Sequence, residues 1–457
     1  MTRPAGLDAL EPESAIASWR AYLLARGTVS TADADELEDH LRTQIDELRS
    51  TGLDADEAVL IAVKRMGRQD AIAREFASEN SRRLWKQLVL GGESPRARRL
   101  DGGVITVGFA VLAAILAKLP SLLGAPLTTS LLGGAILALA ALGASVAWRT
   151  RPPARLVAAS ALGFAVLFVL SLAYPFATSG RGGDPGDTAV SFGLHAPIVL
   201  WLLIGVLYTG EQWRSSARRM DFVRFTGEWF VYLALIALGG GVLMGITAAV
   251  FSALGADPSV VLIEWVAPCG AAGAAVVAAW LVDSKQEVIE NMAPVLGRVF
   301  TPLFTLAVCA MLVGACITGG FGAYREVLIV VDLLLVVVTG LVLYVLSAQQ
   351  PTARAGWTER LQLLLVVAAF ALNGFALAAM IGRIGDGGAT PNRVVALGVN
   401  LVLLVGLAGS AWLLGRRVLA GDASTRRLLA WQTGYLPVYG AWAAAVAIAL
   451  PPVFGFA

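Results

Sequence analysis

Long, nearly uncharged apolar runs constrain this chain more than any other feature of its sequence. They follow one another from about residue 103 to the last residues, with short polar connections between them. A helix needs about 20 predominantly apolar residues to cross the roughly 30 Å hydrocarbon core of a bilayer. By this criterion we predict about eleven membrane-spanning helices, at about 103–123, 128–148, 154–174, 190–209, 227–254, 259–282, 299–319, 326–347, 360–382, 392–415 and 432–455.

The amino-acid composition supports this interpretation and excludes several other classes of protein. Hydrophobic residues make up 57% of the chain and charged residues only 15%, whereas an average soluble domain carries about 25% charged residues. These proportions exclude a disordered chain and a small disulfide-stabilised secreted domain. The formal net charge of +2 indicates no nucleic-acid partner. We therefore expect an all-α, polytopic transmembrane helix bundle in a lipid bilayer, preceded by a small cytoplasmic helical domain.

The part of the chain before the first apolar run differs from the rest in its charge. Residues 1–80, here called the headpiece, carry apolar residues at helical spacing on a charged background. We predict that the headpiece is a cytoplasmic helical domain, that 81–102 is a basic juxtamembrane linker, and that 103–457 is the transmembrane domain. The acidic residues of the headpiece form either a solvated surface or a docking face, for a cytoplasmic protein partner or for the basic loops of the chain itself. Its first 14 residues lack an apolar stretch, so no cleavable signal peptide is expected.

Short segments of the sequence resemble two families of bacterial membrane proteins. Segments of the first 90 or so residues resemble the permease prefix domain, a HAAS-like module: Trp19–Leu23, Glu36–Leu41, Ala58–Gly67 and Leu84–Leu88. Near the other end, Thr390-Pro391-Asn392-Arg393 resembles the membrane part of the DUF4153 family. The first resemblance implies an association with transport in the bacterial inner membrane. Neither resemblance implies catalytic residues.

The distribution of Lys and Arg predicts the orientation, because cytoplasmic loops of membrane proteins are enriched in these residues. With the N-terminus in the cytoplasm, the outer loops carry only Arg181, Arg325, Arg383 and Arg393. The inner loops carry many more: Arg149, Arg151, Arg155, Arg214, Arg218, Arg219, Arg224, Lys285, Arg298, Arg354, Arg360, Arg416, Arg417, Arg426 and Arg427. We expect a multi-pass plasma-membrane protein with its C-terminus outside. Amphipathic patterns at 211–225 and 285–298 also predict interfacial helices on the inner side.

Polar residues inside the predicted spans are the candidate functional residues, because such groups are costly in hydrocarbon. Six of them lie at a similar predicted depth, roughly 8–14 Å below the outer surface at about 1.5 Å per helical residue: Lys118, His195, Glu264, Asp332, Asn373 and Asn400. Together they predict an outward-facing polar cavity. In the alternative, the charged residues extend to the interface and the asparagines bond between helices. For Asp332 we expect a buried ion pair with Lys118 or Arg325.

Two further patterns are candidates for an anion site and for moving parts. The start of the helix at Thr390, Asn392 and Arg393, with Arg383 nearby, offers free amides and cationic groups to an anion. The alternative is a simple helix start with an interfacial arginine, since proline suits the first helical position. Helix-breaking residues in two spans predict either hinges or close helix packing: Gly239, Gly240, Gly241, Pro268 and Gly270.

The sequence predicts no enzyme. It lacks a phosphate-binding G-x-x-x-x-G-K-[ST] loop, an H-E-x-x-H metalloprotease motif and a G-x-S-x-G nucleophile turn. We predict neither a cofactor nor a metal site, and we expect Cys269, Cys309 and Cys316 to be free thiols. Two functions remain. The first is a permease-like carrier for an unidentified small solute through the polar cavity, and the second is a membrane sensor or scaffold whose headpiece signals to a cytoplasmic regulatory partner.

Overall fold

A computed structural model describes most of the membrane domain and parts of the headpiece. The described residues are 16, 31–50, 53, 58, 62, 95–179, 184–284, 292–321, 325–347, 356–419 and 425–457. The chain divides into two compact units, Met1–Arg98 and Arg99–Ala457. The predicted boundary at residue 80 and most of the predicted linker lie outside the described residues.

The described part of the first unit is built around helix α1, Thr31–Ser50. Leu41, Ile45 and Leu48 repeat at helical spacing, so they share one face of α1 and are buried. They form a small apolar core with three buried residues from other segments: Ile16, Ala58 and Ala62. The other face of α1 is charged, which is the pattern predicted for the headpiece.

The second unit is a bundle of long helices. In chain order they are α2 (Pro95–Leu122), α3 (Leu127–Thr150), α4 (Ala154–Ala173), α5 (Asp187–Thr209), α6 (Ser216–Ala253), α7 (Ser259–Ser284), α8 (Met292–Thr318), α9 (Arg325–Ser347), α10 (Trp357–Gly387), α11 (Pro391–Leu419), α12 (Thr425–Ile448) and α13 (Leu450–Val453). Strands β1 (Thr178–Ser179) and β2 (Asp184–Pro185) pair antiparallel between α4 and α5. Among the described helices, 10 are long and apolar enough to cross a membrane. The chain is therefore a multi-pass membrane protein.

The predicted all-α bundle is confirmed as a class, and the 10 apolar helices overlap the first ten predicted spans. Helix α12 covers most of the eleventh predicted span and is not among the 10 apolar helices. The interfacial helix predicted at 211–225 does not exist as a separate element, because α6 runs without a break from Ser216 through the fifth predicted span. Phe222 and Phe225 explain this difference, since they are buried against the bundle instead of facing lipid. The second predicted interfacial helix, at 285–298, lies partly outside the described residues.

The buried apolar side chains form two separate cores, which define two groups of helices. The first helix cluster consists of α2 to α7 and contains the fully buried side chains of Phe192 and Leu200. The second helix cluster consists of α8 to α11 and contains those of Leu335 and Leu365. Helix α12 contributes Ala447 to the first core and Leu428 to the second. It therefore connects the two clusters.

Glycines on α11 allow α12 to approach it closely. A Cβ atom added at Gly398 would lie 1.9 Å from the Trp442 ring, and one added at Gly409 would lie 2.1 Å from the Trp431 ring. Between these two positions, Gly406 faces two further aromatic residues of α12: Tyr435 and Tyr439. These contacts show that α11 and α12 run antiparallel, with small residues on one helix facing rings on the other.

Candidate functional site

Helices α9 and α11 bring two of the predicted cavity residues together. Asn400 donates from Nδ2 to Asp332 Oδ1 at 2.9 Å and to the backbone carbonyl of Ala396 at 2.8 Å. Asn400 is fully buried and Asp332 is partly buried. Both residues lie inside membrane-spanning helices. The Asp332 carboxyl group is therefore held at a depth where a negative charge is costly.

The partner of Asp332 is an amide and not the cation that the sequence predicts. In the described part of the chain, neither Lys118 nor Arg325 forms an ion pair with Asp332. Lys118 belongs to the first helix cluster, where its Nζ atom lies 4.9 Å from the centre of the Trp265 ring. Arg325 begins α9 and is exposed. The expectation of a buried ion pair is therefore wrong, because these cations lie in other surroundings.

Asn373 adds a second buried amide to the second helix cluster. Its side chain is 0% exposed, and neither Oδ1 nor Nδ2 has a hydrogen-bonding partner. The Oδ1 atom of Asn400 is also buried and without a partner. A buried polar atom without a partner costs about 1–3 kcal/mol, so such atoms are rare in native structures. Their presence on α10 and α11 marks this region as a candidate binding site.

The helix register places Asn373 deeper than Asn400. Helices α10 and α11 are antiparallel, since they are joined by the short connection 388–390 and paired at the opposite end by Glu359 and Arg417. In this register Asn373 lies opposite the turn of α11 that follows Asn400. The two amides are therefore separated by about one helical turn, roughly 5 Å along the helix axis.

A groove between α9, α11 and α12 lies further along α11. It contains about 320 Å³ of space that protein atoms do not fill, part of it open to the outside. Gln432 Nε2 donates to Ser410 Oγ at 3.1 Å, and the Tyr435 hydroxyl donates to the carbonyl of Val402 at 2.8 Å. Further lining residues include Thr339, Trp431 and Tyr439. The groove continues the series of polar groups along the second helix cluster.

A buried ion pair lies at the other end of α11 from Pro391. Arg417 Nη2 is 4.0 Å from Glu359 Oε1, and the two side chains are 3% and 9% exposed. Glu359 Oε2 also accepts the N–H of Gly356 at 2.9 Å and the hydroxyl of Thr358 at 3.0 Å. Glu359 therefore caps α10 and neutralises Arg417 at the same time. Buried polar groups thus occur at successive levels of the second cluster, from Asp332 to Glu359.

The other three predicted cavity residues lie in the first helix cluster. His195 is buried, and its Nδ1 atom is 2.9 Å from the carbonyl oxygen of Ser191 on its own helix. Glu264 is exposed, and Lys118 packs over Trp265. The helices that carry the six residues belong to two different cores. The described contacts therefore join Asp332 to Asn400 in the second cluster, whereas the other three residues lie in the first cluster, apart from that pair.

The predicted anion site is occupied by contacts within the protein. Arg393 Nη1 donates to the backbone carbonyls of Arg383 at 3.0 Å and Gly388 at 2.8 Å, so its guanidinium group caps the end of α10. The carbonyl of Thr390 accepts the N–H of Val394 at 3.0 Å, and α11 begins at Pro391. The side chains of Thr390 and Asn392 make no hydrogen bond in the described part of the chain. This geometry fits a helix start stabilised by an arginine, the alternative that the sequence leaves open.

The predicted hinge residues differ in their local geometry. Helix α6 is continuous through Gly239, Gly240 and Gly241, which all face open space. In α7, a π-helical turn at Leu262–Val266 precedes Pro268. Proline has no N–H to donate and its ring crowds the carbonyl one turn earlier, so the helix widens there. Gly270, two residues beyond, is exposed. Pro268 is therefore the hinge candidate at which the backbone is irregular.

Sequence reasoning missed several polar residues of the second helix cluster. Glu359 and Arg417 fall just outside the predicted spans at 360–382 and 392–415, because the actual helices are longer. Gln432 lies at the end of the predicted span 432–455. The signal in the sequence is the presence of opposite charges, Glu359 and Arg417, at the ends of two consecutive spans that must meet on the same side of the membrane.

No metal-binding arrangement of three or more His, Cys, Asp and Glu residues occurs within the described residues. The resemblance of the chain to the permease prefix domain and to the DUF4153 family stays a prediction. Comparison of the chain with models of protein families, with curated proteins and with solved structures gave no match.

Proposed function

We propose that this membrane protein is a permease-like carrier for a small solute and that the second helix cluster contains its binding site. The observation that carries the proposal is the intramembrane carboxyl group of Asp332, whose partner in the described part of the chain is the amide of Asn400. Ionisable groups inside membrane helices typically mark ion or substrate pathways. The carboxyl group and the unpaired amide atoms favour a solute that carries hydrogen-bond donors, such as an amine.

A carrier also needs a part that moves, and α7 offers one. The π-helical turn at Leu262–Val266 and Pro268 interrupt its regular hydrogen bonding. Helices bend at prolines and π-turns, and transporters change the access to their binding site when one group of helices moves against another. We therefore assign the movement to α7 and the binding to α9, α10 and α11.

For the topology, we propose that α12 crosses the membrane in addition to the 10 apolar helices, with a cytoplasmic N-terminus in the plasma membrane. Ala177 donates its N–H to the carbonyl of Phe456 at 2.8 Å, and Thr188 donates to that of Ala457 at 2.8 Å. The last residues therefore lie beside the connection between α4 and α5. This contact requires an even number of crossings from α5 onward, which the helices α5 to α12 provide. The arginine-poor outer loops support an outside location for this face.

Uptake into liposomes tests the carrier function. The purified full-length chain is reconstituted, and uptake of radiolabelled putrescine, choline and lysine is compared with that of glucose. We expect uptake of at least one of the three cationic solutes above that of empty liposomes. Asp332→Asn and Asn373→Leu should abolish it, because they remove the charge and the free amide of the binding site.

His195→Gln is the matched control, since it replaces an ionisable intramembrane residue of the first helix cluster whose hydrogen bond lies within its own helix. We expect this variant to retain uptake. The proposal fails if no cationic solute enters faster than in empty liposomes. It also fails if both variants in the second cluster transport as well as the unaltered protein.

A second function, a sensor or scaffold that signals through the headpiece, is favoured by the structure of α1. Asp35, Asp39 and Asp46 are exposed on the side away from the buried stripe, so α1 offers an acidic face to a basic partner. In the full chain, Asp39→Lys with Asp46→Lys should remove a cytoplasmic protein that cross-links to the headpiece in intact cells. Thr43→Lys adds charge without removing an acid and should retain it. Equal cross-linking by both variants would exclude this face.

A further inference from the structure

We propose that Asp332 and Asn400 form one site that holds either a proton or a cation, so that the protein exchanges a cationic solute for a proton. The exchange step rests on the carrier function proposed above, whereas the proton-binding site stands without it. Three features of the second helix cluster carry the proposal: the chemistry of the acid–amide pair, the charges around it, and the polar groups that continue along α11.

The acid–amide pair is complementary when Asp332 is protonated. Asn400 already donates from Nδ2 to Asp332 Oδ1 at 2.9 Å, while its own Oδ1 is buried without a partner. A carboxylate has acceptors alone, so it leaves that oxygen unsatisfied. A protonated carboxyl group has an O–H that can donate to it. Protonation of Asp332 therefore removes a costly charge and supplies the hydrogen that Asn400 lacks.

The same two side chains suit a cation when the proton leaves. Loss of the proton from Asp332 yields a carboxylate beside an amide oxygen, and both groups are acceptors. A bound cation then neutralises the carboxylate, and it needs only acceptor groups around it. One proton leaves the site for each positive charge that enters, so the charge of the site stays the same. Proton and cation consequently compete for Asp332, which is the requirement for exchange.

In the described part of the chain, no neighbouring charged group forms a hydrogen bond or an ion pair with Asp332. The helices packed against α9 are α6, α8, α10, α11 and α12. Their charged or titratable residues are Arg218, Arg219, Asp221, Arg224, Glu228, Tyr232, Arg298, Cys309, Cys316, Glu359, Arg360, Arg383, Asp386, Arg393, Arg416, Arg417, Arg426, Arg427, Tyr435 and Tyr439. None of them forms a hydrogen bond or an ion pair with Asp332. On α9 itself, Arg325 and Glu326 lie almost two turns away and Tyr344 lies beyond the groove.

Polar groups along α11 connect this site with the other end of the helix. Asn373 lies about one turn beyond Asn400, and the Ser410–Gln432 hydrogen bond lies further along. The Glu359–Arg417 ion pair follows at the end of the series. Each level offers side-chain donors or acceptors that a proton or a hydrated cation can use. The second helix cluster thus contains a series of polar steps and not an isolated acid.

Infrared difference spectroscopy on the reconstituted full chain tests the proton site without any transport. Between acid and alkaline pH, we expect the C=O stretch of a protonated carboxyl group to disappear as the carboxylate forms. This signal should be absent from Asp332→Asn, which preserves the size of the side chain. It should persist in Glu264→Gln, the matched control that removes an exposed intramembrane acid from the first helix cluster.

Addition of cations at constant pH tests the competition. With sodium, choline or putrescine as the probe, we expect at least one cation to abolish the Asp332 carboxyl signal and to release protons into a weakly buffered, dye-containing medium. Asp332→Asn should release none. The proposal is overturned if the spectra of the unaltered protein and Asp332→Asn coincide, or if none of the three cations changes the Asp332 signal.

The two proposals fail separately. If a cationic solute is taken up but Asp332 gives no titrating signal, the carrier stands and its coupling to protons is wrong. If the signal and its displacement by cations appear without uptake of any solute, the proton-or-cation site stands and the carrier is wrong.

Discussion

The two helix clusters differ in their buried side-chain amides. In the first cluster, buried hydroxyl and imidazole groups mostly bond to carbonyls of their own helix, as Ser145, Ser171 and His195 do. Hydroxyl groups of the second cluster do the same, and the first cluster also has polar bonds between helices, such as the one from Arg149 to Asp283. The second cluster differs in its side-chain amides, which bond between helices: Asn400 bonds to Asp332 and Gln432 bonds to Ser410. Polar groups that bond within one helix have their partner before the helices assemble, so they do not determine how the helices pack.

This difference agrees with the proposed division into a scaffold and a binding site. In the first cluster, apolar and aromatic side chains pack around Phe192 and Trp201. Buried hydroxyl groups without a partner also occur in the first cluster, at Ser160 and Thr188, but the second cluster contains a whole amide without a partner, at Asn373, and a carboxyl group at Asp332. Features that cost stability and persist are typical of functional regions. The comparison therefore supports the proposal that the binding site lies in the second cluster.

The largest expected effect on stability comes from the buried ion pair of the second cluster. Arg417→Ala leaves the Glu359 carboxylate buried without its cation, which should cost about 3–5 kcal/mol of the free energy of unfolding. Unfolding by SDS in mixed detergent micelles, followed by tryptophan fluorescence, measures this change.

The exposed Arg155–Glu211 pair of the first cluster is the matched control. Its side chains are 75% and 71% exposed and 3.7 Å apart, so Glu211→Gln should change the stability by no more than about 1 kcal/mol. Equal losses in the two variants would show that the second cluster does not depend on this buried ion pair.

A smaller effect is expected from the glycines that face aromatic rings. Gly398→Ala and Gly409→Ala place a methyl group where the rings of Trp442 and Trp431 lie, and such overpacking costs about 1–3 kcal/mol. Helix α6 offers the control, because Gly240 faces open space. Gly240→Ala should maintain or raise the stability, since alanine favours the helical conformation. The same SDS titration separates the two outcomes, and a loss at Gly240 equal to that at Gly398 would contradict close packing as the cause.

The fold class was predictable because the hydrophobic pattern determines it. Runs such as 128–148 and 154–174 allow little other than membrane helices, and α3 and α4 lie there within a few residues. The hydrophobic pattern gave a wrong prediction at 211–225, because an amphipathic segment can lie either at the membrane surface or against other helices. Phe222 and Phe225 fit an interfacial helix as well as a buried face, and only the packing against Trp201 decides between them.

The candidate site was predictable in its residues but not in its pairing. Asp332 and Asn400 stand out in the sequence because polar groups are rare in apolar spans. Their contact depends on α9 and α11 being neighbours that run in the same direction, and hydropathy does not contain this information. The same ambiguity produced the wrong ion pair between Asp332 and Lys118. An equal depth along two helices does not bring their side chains together, and the helices of Lys118 and Asp332 belong to different cores.

The smallest expected change has the opposite sign and distinguishes a functional amide from a structural one. Asn373→Leu replaces a fully buried amide without partners by an apolar side chain of similar size, so the free energy of unfolding should rise by about 1 kcal/mol. In the first cluster, Ser171→Ala removes a hydroxyl that bonds to its own helix and should leave the stability nearly unchanged. A stabilised Asn373→Leu protein that no longer transports would show that the amide is maintained for function at the expense of stability. If Asn373→Leu instead unfolds more easily than the unaltered protein, the amide has a structural role, and the distinction between the two clusters no longer holds at this position.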